Sequence, residues 1–149
     1  MAISACNTNP FLTEWTGADA FPPFDKIKTS DFVPAVKAGI EQQEAEVNAI
    51  VTNEAAPTFE NTIAAYELSG EILAKTLGVL YNVSESDATP EMQAVMDEVT
   101  PLLTASSDNI FMNKAFFERV KAVYADSSSL DREQYMVTKK LYKYFVDNG

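Results

Sequence analysis

From residue 29 onward the apolar positions fall three or four apart, and nowhere do they alternate over a useful length, so the pattern predicts helices and no strands. Thr29-Ser30-Asp31 offers a cap, and Val33, Val36, Ile40, Val47 and Val51 then form a stripe reaching about Thr52. Pro34 falls in the first turn, where a missing N–H is tolerated. Glu44 projects beside this stripe, at an edge from which its carboxylate reaches water. Ala55-Ala56-Pro57 breaks the chain, and Thr58 caps a second, long helix running to about Ser84. One of its faces carries Phe59, Ile63, Tyr66, Gly70, Leu73, Leu77 and Tyr81, and nearly opposite lie Leu68, Ile72, Val79 and Val83. A helix apolar on both faces must be covered on both, as the central helix of the domain or with one wall meant for another domain. Gly70 costs about 1 kcal/mol of helix propensity relative to alanine, and close approach of a neighbouring helix is its expected reason.

Ser86-Asp87-Ala88 makes the next break, after which Thr89-Pro90 supplies a cap and a first-position proline. Met92, Val95, Met96, Val99 and Leu103 form a third stripe, in which Pro101 predicts a kink or split near Thr100. Ser106-Ser107-Asp108 predicts an interruption or an end. Asn113 then caps a short helix with Phe116, Val120, Val123 and Tyr124 inward. After a Ser127-Ser128-Ser129 loop, Asp131 opens a last helix with Tyr135, Thr138, Leu141, Tyr142 and Phe145 on one side. Residues 1–28 lack helical periodicity and hold Pro10, Pro22 and Pro23 among Phe11, Trp15, Phe21 and Phe24. They are expected to lie as an extended strap on the helical body, with the rings as anchors. The expected fold is all-α, an irregular bundle of about five helices over residues 29–149 with that arm in front.

The composition changes this picture little, but the charge narrows its partners. A chain of 149 residues, 46% hydrophobic, can bury a core without disulfides or metal. A net charge of -11 repels phosphate backbones and anionic lipid, which excludes nucleic acid as an expected partner. No apolar run is long enough to span a membrane. From Gly39 to Asn113 the only base is Lys75, whereas Lys114, Arg119, Lys121, Arg132, Lys139, Lys140 and Lys143 follow. The acidic stretch reads as solvated helix faces, with a docking face for a basic partner as the alternative.

Candidate chemistry is almost absent. There is no histidine, hence no imidazole base and no ordinary zinc site. Asp97 and Glu98 are neighbours that diverge on a helix, while Glu41/Glu44 and Glu67/Glu71 share faces and read as solvated acidic surface. The five glycines are scattered singly, so no phosphate loop exists. No catalytic, cofactor-binding or metal-ligating residue is assigned. The single cysteine follows Ile3-Ser4-Ala5, and Ile3-Ser4-Ala5-Cys6 resembles the lipobox of bacterial lipoproteins. Five preceding residues cannot make a signal peptide, so residues 1–6 are a chance match or the remnant of a longer leader whose start is not Met1.

Asn9-Pro10-Phe11-Leu12, Phe21-Pro22-Pro23-Phe24-Asp25-Lys26-Ile27-Lys28, Asp31-Phe32-Val33-Pro34-Ala35 and Ala56-Pro57-Thr58-Phe59-Glu60-Asn61-Thr62-Ile63 carry a resemblance. It continues through Asn109-Ile110-Phe111 to Arg119-Val120-Lys121-Ala122-Val123-Tyr124. In this order the segments resemble the opening of the peptidyl-dipeptidase and oligopeptidase A branch of the thimet-oligopeptidase-like zinc metallopeptidases. That resemblance implies an almost wholly helical parent several times longer, cutting short peptides with zinc held on a His-Glu-x-x-His helix. None of those zinc or catalytic positions occurs here, so the zinc belongs to the parent by resemblance and not to this chain. The expectation is a non-catalytic N-terminal domain walling the substrate channel, its partners being the catalytic domain of the same polypeptide and the parent's short peptides. The stripe Leu68, Ile72, Val79, Val83 is the expected docking wall. The alternative is a freestanding helical adaptor or lipoprotein without peptidase activity. The family default is the cytoplasm, and the lipoprotein reading would place the chain in the periplasm, anchored through Cys6.

Overall fold

The computed structural model describes residues 8–16 and 21–148; Cys6 and its lipobox-like segment lie outside them. Five substantial helices and no strand occur among the described residues, an all-α bundle. Helix α1 (Phe32–Val51) leads through a π-helical turn, Phe59–Ala64, into the short α2 (Ala65–Glu67). Helices α3 (Glu71–Ser86), α4 (Pro90–Phe111), α5 (Lys114–Ala125) and α6 (Arg132–Asn148) complete it.

Helix α1 is the spine, packing most extensively on α3 and then on α4. Its buried line is Phe32, Ala35, Val36, Gly39, Val47 and Ile50, while Val33, Ile40 and Val51 of the expected stripe are half-buried on its flanks. Glu44 is exposed, as its edge position demands. Two cores share α1 and α4. One gathers Phe11, Phe32, Val36, Leu80, Met92 and Val99. The other gathers Val47, Ile63, Ile110, Phe116, Val120 and Phe145 under α5 and α6.

The long second helix expected from Thr58 to Ser84 is divided at Gly70, whose φ of +71° is left-handed backbone that only glycine adopts without cost. The N-terminus of α3 therefore needs partners for its free N–H groups, and α1 provides them. Glu46 Oε2 accepts from Gly70 N–H at 2.7 Å, and Gln42 Oε1 accepts from Ile72 N–H at 3.1 Å. The carboxylate also complements the positive end of the α3 dipole. Close helix approach falls to a different glycine. A Cβ on Gly39 would stand 2.7 Å from the backbone nitrogen of Leu73 and 2.8 Å from its Cα.

Helix α4 runs 22 residues without the split expected at Pro101 or the end expected at Ser106-Ser107-Asp108. Asp97 and Pro101 are both exposed, so Pro101 lies on the solvent side of the helix, where a missing backbone bond costs least. Ser106 is buried inside the helix, and the continuing packing of Ile110 outweighs the poor helix preference of the serines. The caps fall where their chemistry puts them. Thr89 Oγ1 accepts from Met92 N–H at 3.2 Å, Asn113 Oδ1 from Phe116 N–H at 3.0 Å, and Asp131 Oδ1 from Gln134 N–H at 2.9 Å. Thr29–Asp31 instead form a 3-10 turn ahead of α1, in which the Asp31 carboxylate accepts from Lys28 N–H at 2.8 Å.

The arm is anchored by two rings rather than four. Phe11 is fully buried, 5.4 Å from the ring of Phe32 and 6.2 Å from that of Trp15. Lys75 covers Trp15 at 5.0 Å and donates to the Thr13 carbonyl at 3.2 Å. Phe21 and Phe24 remain exposed, Phe24 at the edge of an open hollow beside Trp15 and α3.

Replacing Gly39 with alanine should cost about 1–3 kcal/mol in urea unfolding, because the new methyl drives α1 off the α3 backbone. The matched Gly78→Ala, where a Cβ meets nothing within 4 Å, should instead raise stability by about 0.4–1 kcal/mol. A second measurement is alkaline titration of tyrosine absorbance. Burial, then Glu67 and Tyr144, lifts the Tyr66 hydroxyl above its ordinary 10.0, and a hydrogen bond with Tyr135 lifts Tyr124 in the same sense. The Tyr66 contribution to stability is complete below pH 10 and disappears as pH rises through the raised value, so urea midpoints should fall across that alkaline window.

Candidate functional site

The segments that carried the resemblance are fastened to one another. Asn9 Nδ2 donates to the Asp31 carbonyl at 2.8 Å, joining the first segment to the third. Asn61 forms a reciprocal cap with Thr58, its Oδ1 accepting from Thr58 N–H at 2.8 Å and its N–H donating to Thr58 Oγ1 at 3.1 Å. It also donates from Nδ2 to the Ala56 carbonyl at 2.9 Å. Arg119 of α5 closes the assembly. Its Nη1 donates to the carbonyls of Asn53 at 3.0 Å and Ala55 at 3.2 Å, and its Nη2 to Asn61 Oδ1 at 3.1 Å. One planar guanidinium thus fixes the 52–58 loop and the start of the π-helical turn, a geometry a lysine cannot reproduce.

Asn61 borders an open hollow of about 400 Å³ with Glu46, Asn53 and Leu68, but neither an amide nor a guanidinium acts as nucleophile or general base there. Glu41 and Glu44 are both exposed, and the expected Glu67/Glu71 pair is split between α2 and α3 by Gly70. Asp97 accepts from Gln93 Nε2 at 2.9 Å, an exposed bond along one helix. The chain has no histidine, and no group of three or more His, Cys, Asp or Glu side chains among the described residues is placed to hold a metal ion. The residues present do not fit a zinc site.

What the fold does present is an apolar and basic corner. Helix α6 buries Thr138, Leu141 and Phe145, which turns Met136, Lys140, Lys143 and Tyr144 outward. The Tyr144 ring lies 4.3 Å from Phe111 at the end of α4, and Phe111 meets Phe145 at 5.0 Å. Beside them a cleft of about 380 Å³ is lined by Phe111, Met112, Phe117, Phe145 and Val146. An adjoining hollow of about 400 Å³ is lined by Met136, Lys139, Lys140, Lys143 and Tyr144. The docking wall expected on the second helix is not formed. Val79 lies inside the first core with Val83 against it and Ile72 is half-buried, so of the four only Leu68 is exposed. Sequence reasoning missed the corner because Met136 and Tyr144 stand among lysines on what reads as the polar side of α6; their spacing of eight residues was the available signal.

No family model matches the chain. It is 34% identical over 145 residues to a dipeptidyl carboxypeptidase of Salmonella typhimurium, which covers 96% of this chain and 21% of that protein. With the dipeptidyl carboxypeptidase of Escherichia coli it shares 33% over 143 residues, 95% of this chain and 21% of the relative. Oligopeptidase A of Salmonella typhimurium is 25% identical over 142 residues, 95% of the chain and 19% of the relative. The chain thus spans about a fifth of the length of these curated relatives. No helix among the described residues is long and apolar enough to cross a membrane. Along nearly its whole length the chain is thus similar to one region of dipeptidyl carboxypeptidase and of oligopeptidase A.

Proposed function

We propose that this chain is a non-catalytic, N-terminal helical domain of a peptidase, and that it walls the channel through which short peptides reach the catalytic residues. The observation that carries this reading is the match of almost all the chain to about a fifth of two dipeptidyl carboxypeptidases. Support comes also from the site chemistry. Hydrolysis of an amide needs an activated water or nucleophile, and the chain offers neither an imidazole nor a metal-ligating cluster among its described residues. The side chains that bear the resemblance, Asn9, Asn61 and Arg119, are occupied in fastening helices together. A rigid wall is the role such a region can fill, because exclusion by size needs shape and no reactive group. The zinc chemistry that the family resemblance implies would be supplied by polypeptide beyond these residues.

The test is a chimera in which this chain replaces the matched region of the Escherichia coli dipeptidyl carboxypeptidase. The isolated chain should hydrolyse a short fluorogenic peptide roughly 10³-fold or more slowly than the chimera, at the level of water. The chimera should cut short peptides and leave folded proteins intact. Peptidase activity in the isolated chain, or a chimera that degrades folded proteins as readily as peptides, would overturn the reading.

A further inference from the structure

Nine large apolar side chains stand exposed among the described residues, and four of them, Met112, Met136, Tyr144 and Val146, gather at the α4–α6 corner. Met112 is 75% exposed and Val146 55%, yet both border a cleft already floored by phenylalanine. Such a concentration beside open hollows marks a surface meant to be covered. The charge around it is distinctive. Residues 114–149 carry seven bases and five acids, net +2, against four bases and 17 acids, net -13, in residues 1–113. Lys114 lines the cleft, and the adjoining hollow is lined by three ammonium groups, Lys139, Lys140 and Lys143, against the one carboxylate of Asp147.

We infer that this corner seats another part of the peptidase polypeptide, one that presents an apolar surface bordered by carboxylates. The inference rests on the proposed function, since the relatives' remaining four fifths are where such a surface would come from. Apolar groups fill the two hollows, and the lysine border selects an acidic rim. A second copy of the chain fits poorly. A two-fold pairing through this face would set Lys140 and Lys143 against their own copies, a like-charge juxtaposition that costs affinity.

Methionine oxidation by hydrogen peroxide, read by mass spectrometry, tests this directly. In the isolated chain Met112 and Met136 should oxidise readily and the buried Met92 slowly. In the chimera with the Escherichia coli enzyme, Met112 and Met136 should react about tenfold more slowly than in the isolated chain. Lys140→Glu with Lys143→Glu should restore their oxidation in the chimera, and Leu68→Asp, on a different face, should not. Unchanged methionine rates between chain and chimera would overturn the proposal. So would protection in the isolated chain that grows with concentration, which would assign the corner to a second copy. A measurement independent of the chimera uses the isolated chain alone. A hydrophobic dye should bind it and be lost on Met112→Asp with Val146→Asp; dye binding that survives both substitutions also sinks the proposal. The two readings fail separately. Protected methionines in a chimera that degrades folded proteins would keep the docking corner and discard the channel wall, and the reverse pattern would do the opposite.

Discussion

The contact on which the structure turns is the backbone approach between Gly39 of α1 and Leu73 of α3. With no side chain at Gly39 the two helices close to a distance that lets α1 reach the exposed start of α3. Only then can Glu46 and Gln42 bond the N–H groups of Gly70 and Ile72. The left-handed turn at Gly70 and the missing Cβ at Gly39 are two halves of one arrangement, the first creating unbonded donors and the second bringing their acceptors. Because α1 also belongs to both cores, its position sets that of α4 and the turn leading to α5.

A second layer of constraint comes from polar fastenings between segments distant in sequence. Asn9 holds the arm to the start of α1, and Arg119 holds α5 to the loop that follows α1. The Arg119 fastening is a multi-point bond from one planar group, which confers orientation as well as attachment, whereas Asn9 reaches Asp31 by a single bond. The side chains of Asn9, Asn61 and Arg119, which lie in the segments that carry the resemblance, are spent on these fastenings. These segments set how the helices are joined, and the joining determines which helix faces stay exposed.

The helices, their caps and the arm's leading anchor were legible in the sequence because each depends on residues a few positions apart. Thr89, Asn113 and Asp131 bond N–H groups of their own first turn, so their meaning is local. The break at Gly70 was hidden because apolar residues keep helical spacing across it, and the acceptor that stabilises it, Glu46, lies 24 residues away. Gly39 leaves no trace in a hydropathy pattern, since its contribution is an absent atom. Pro101 and the serines of α4 were over-read for the opposite reason, local preference yielding to packing on both sides. Of the corner, only the lysines were visible; its apolar character emerges once the buried line of α6 is known, because Met136 and Tyr144 then fall outside it.

Trp15 is the one tryptophan of the chain, and it sits at the seam between arm and body under the ammonium of Lys75. Its indole N–H is held by the Pro10 carbonyl at 3.0 Å, so the ring's surroundings belong to the strap as much as to α3. The fluorescence of this protein is therefore a gauge of one joint. Peeling of the strap would alter its emission while the circular dichroism of the five helices stayed unchanged, which separates detachment from global melting without any added label.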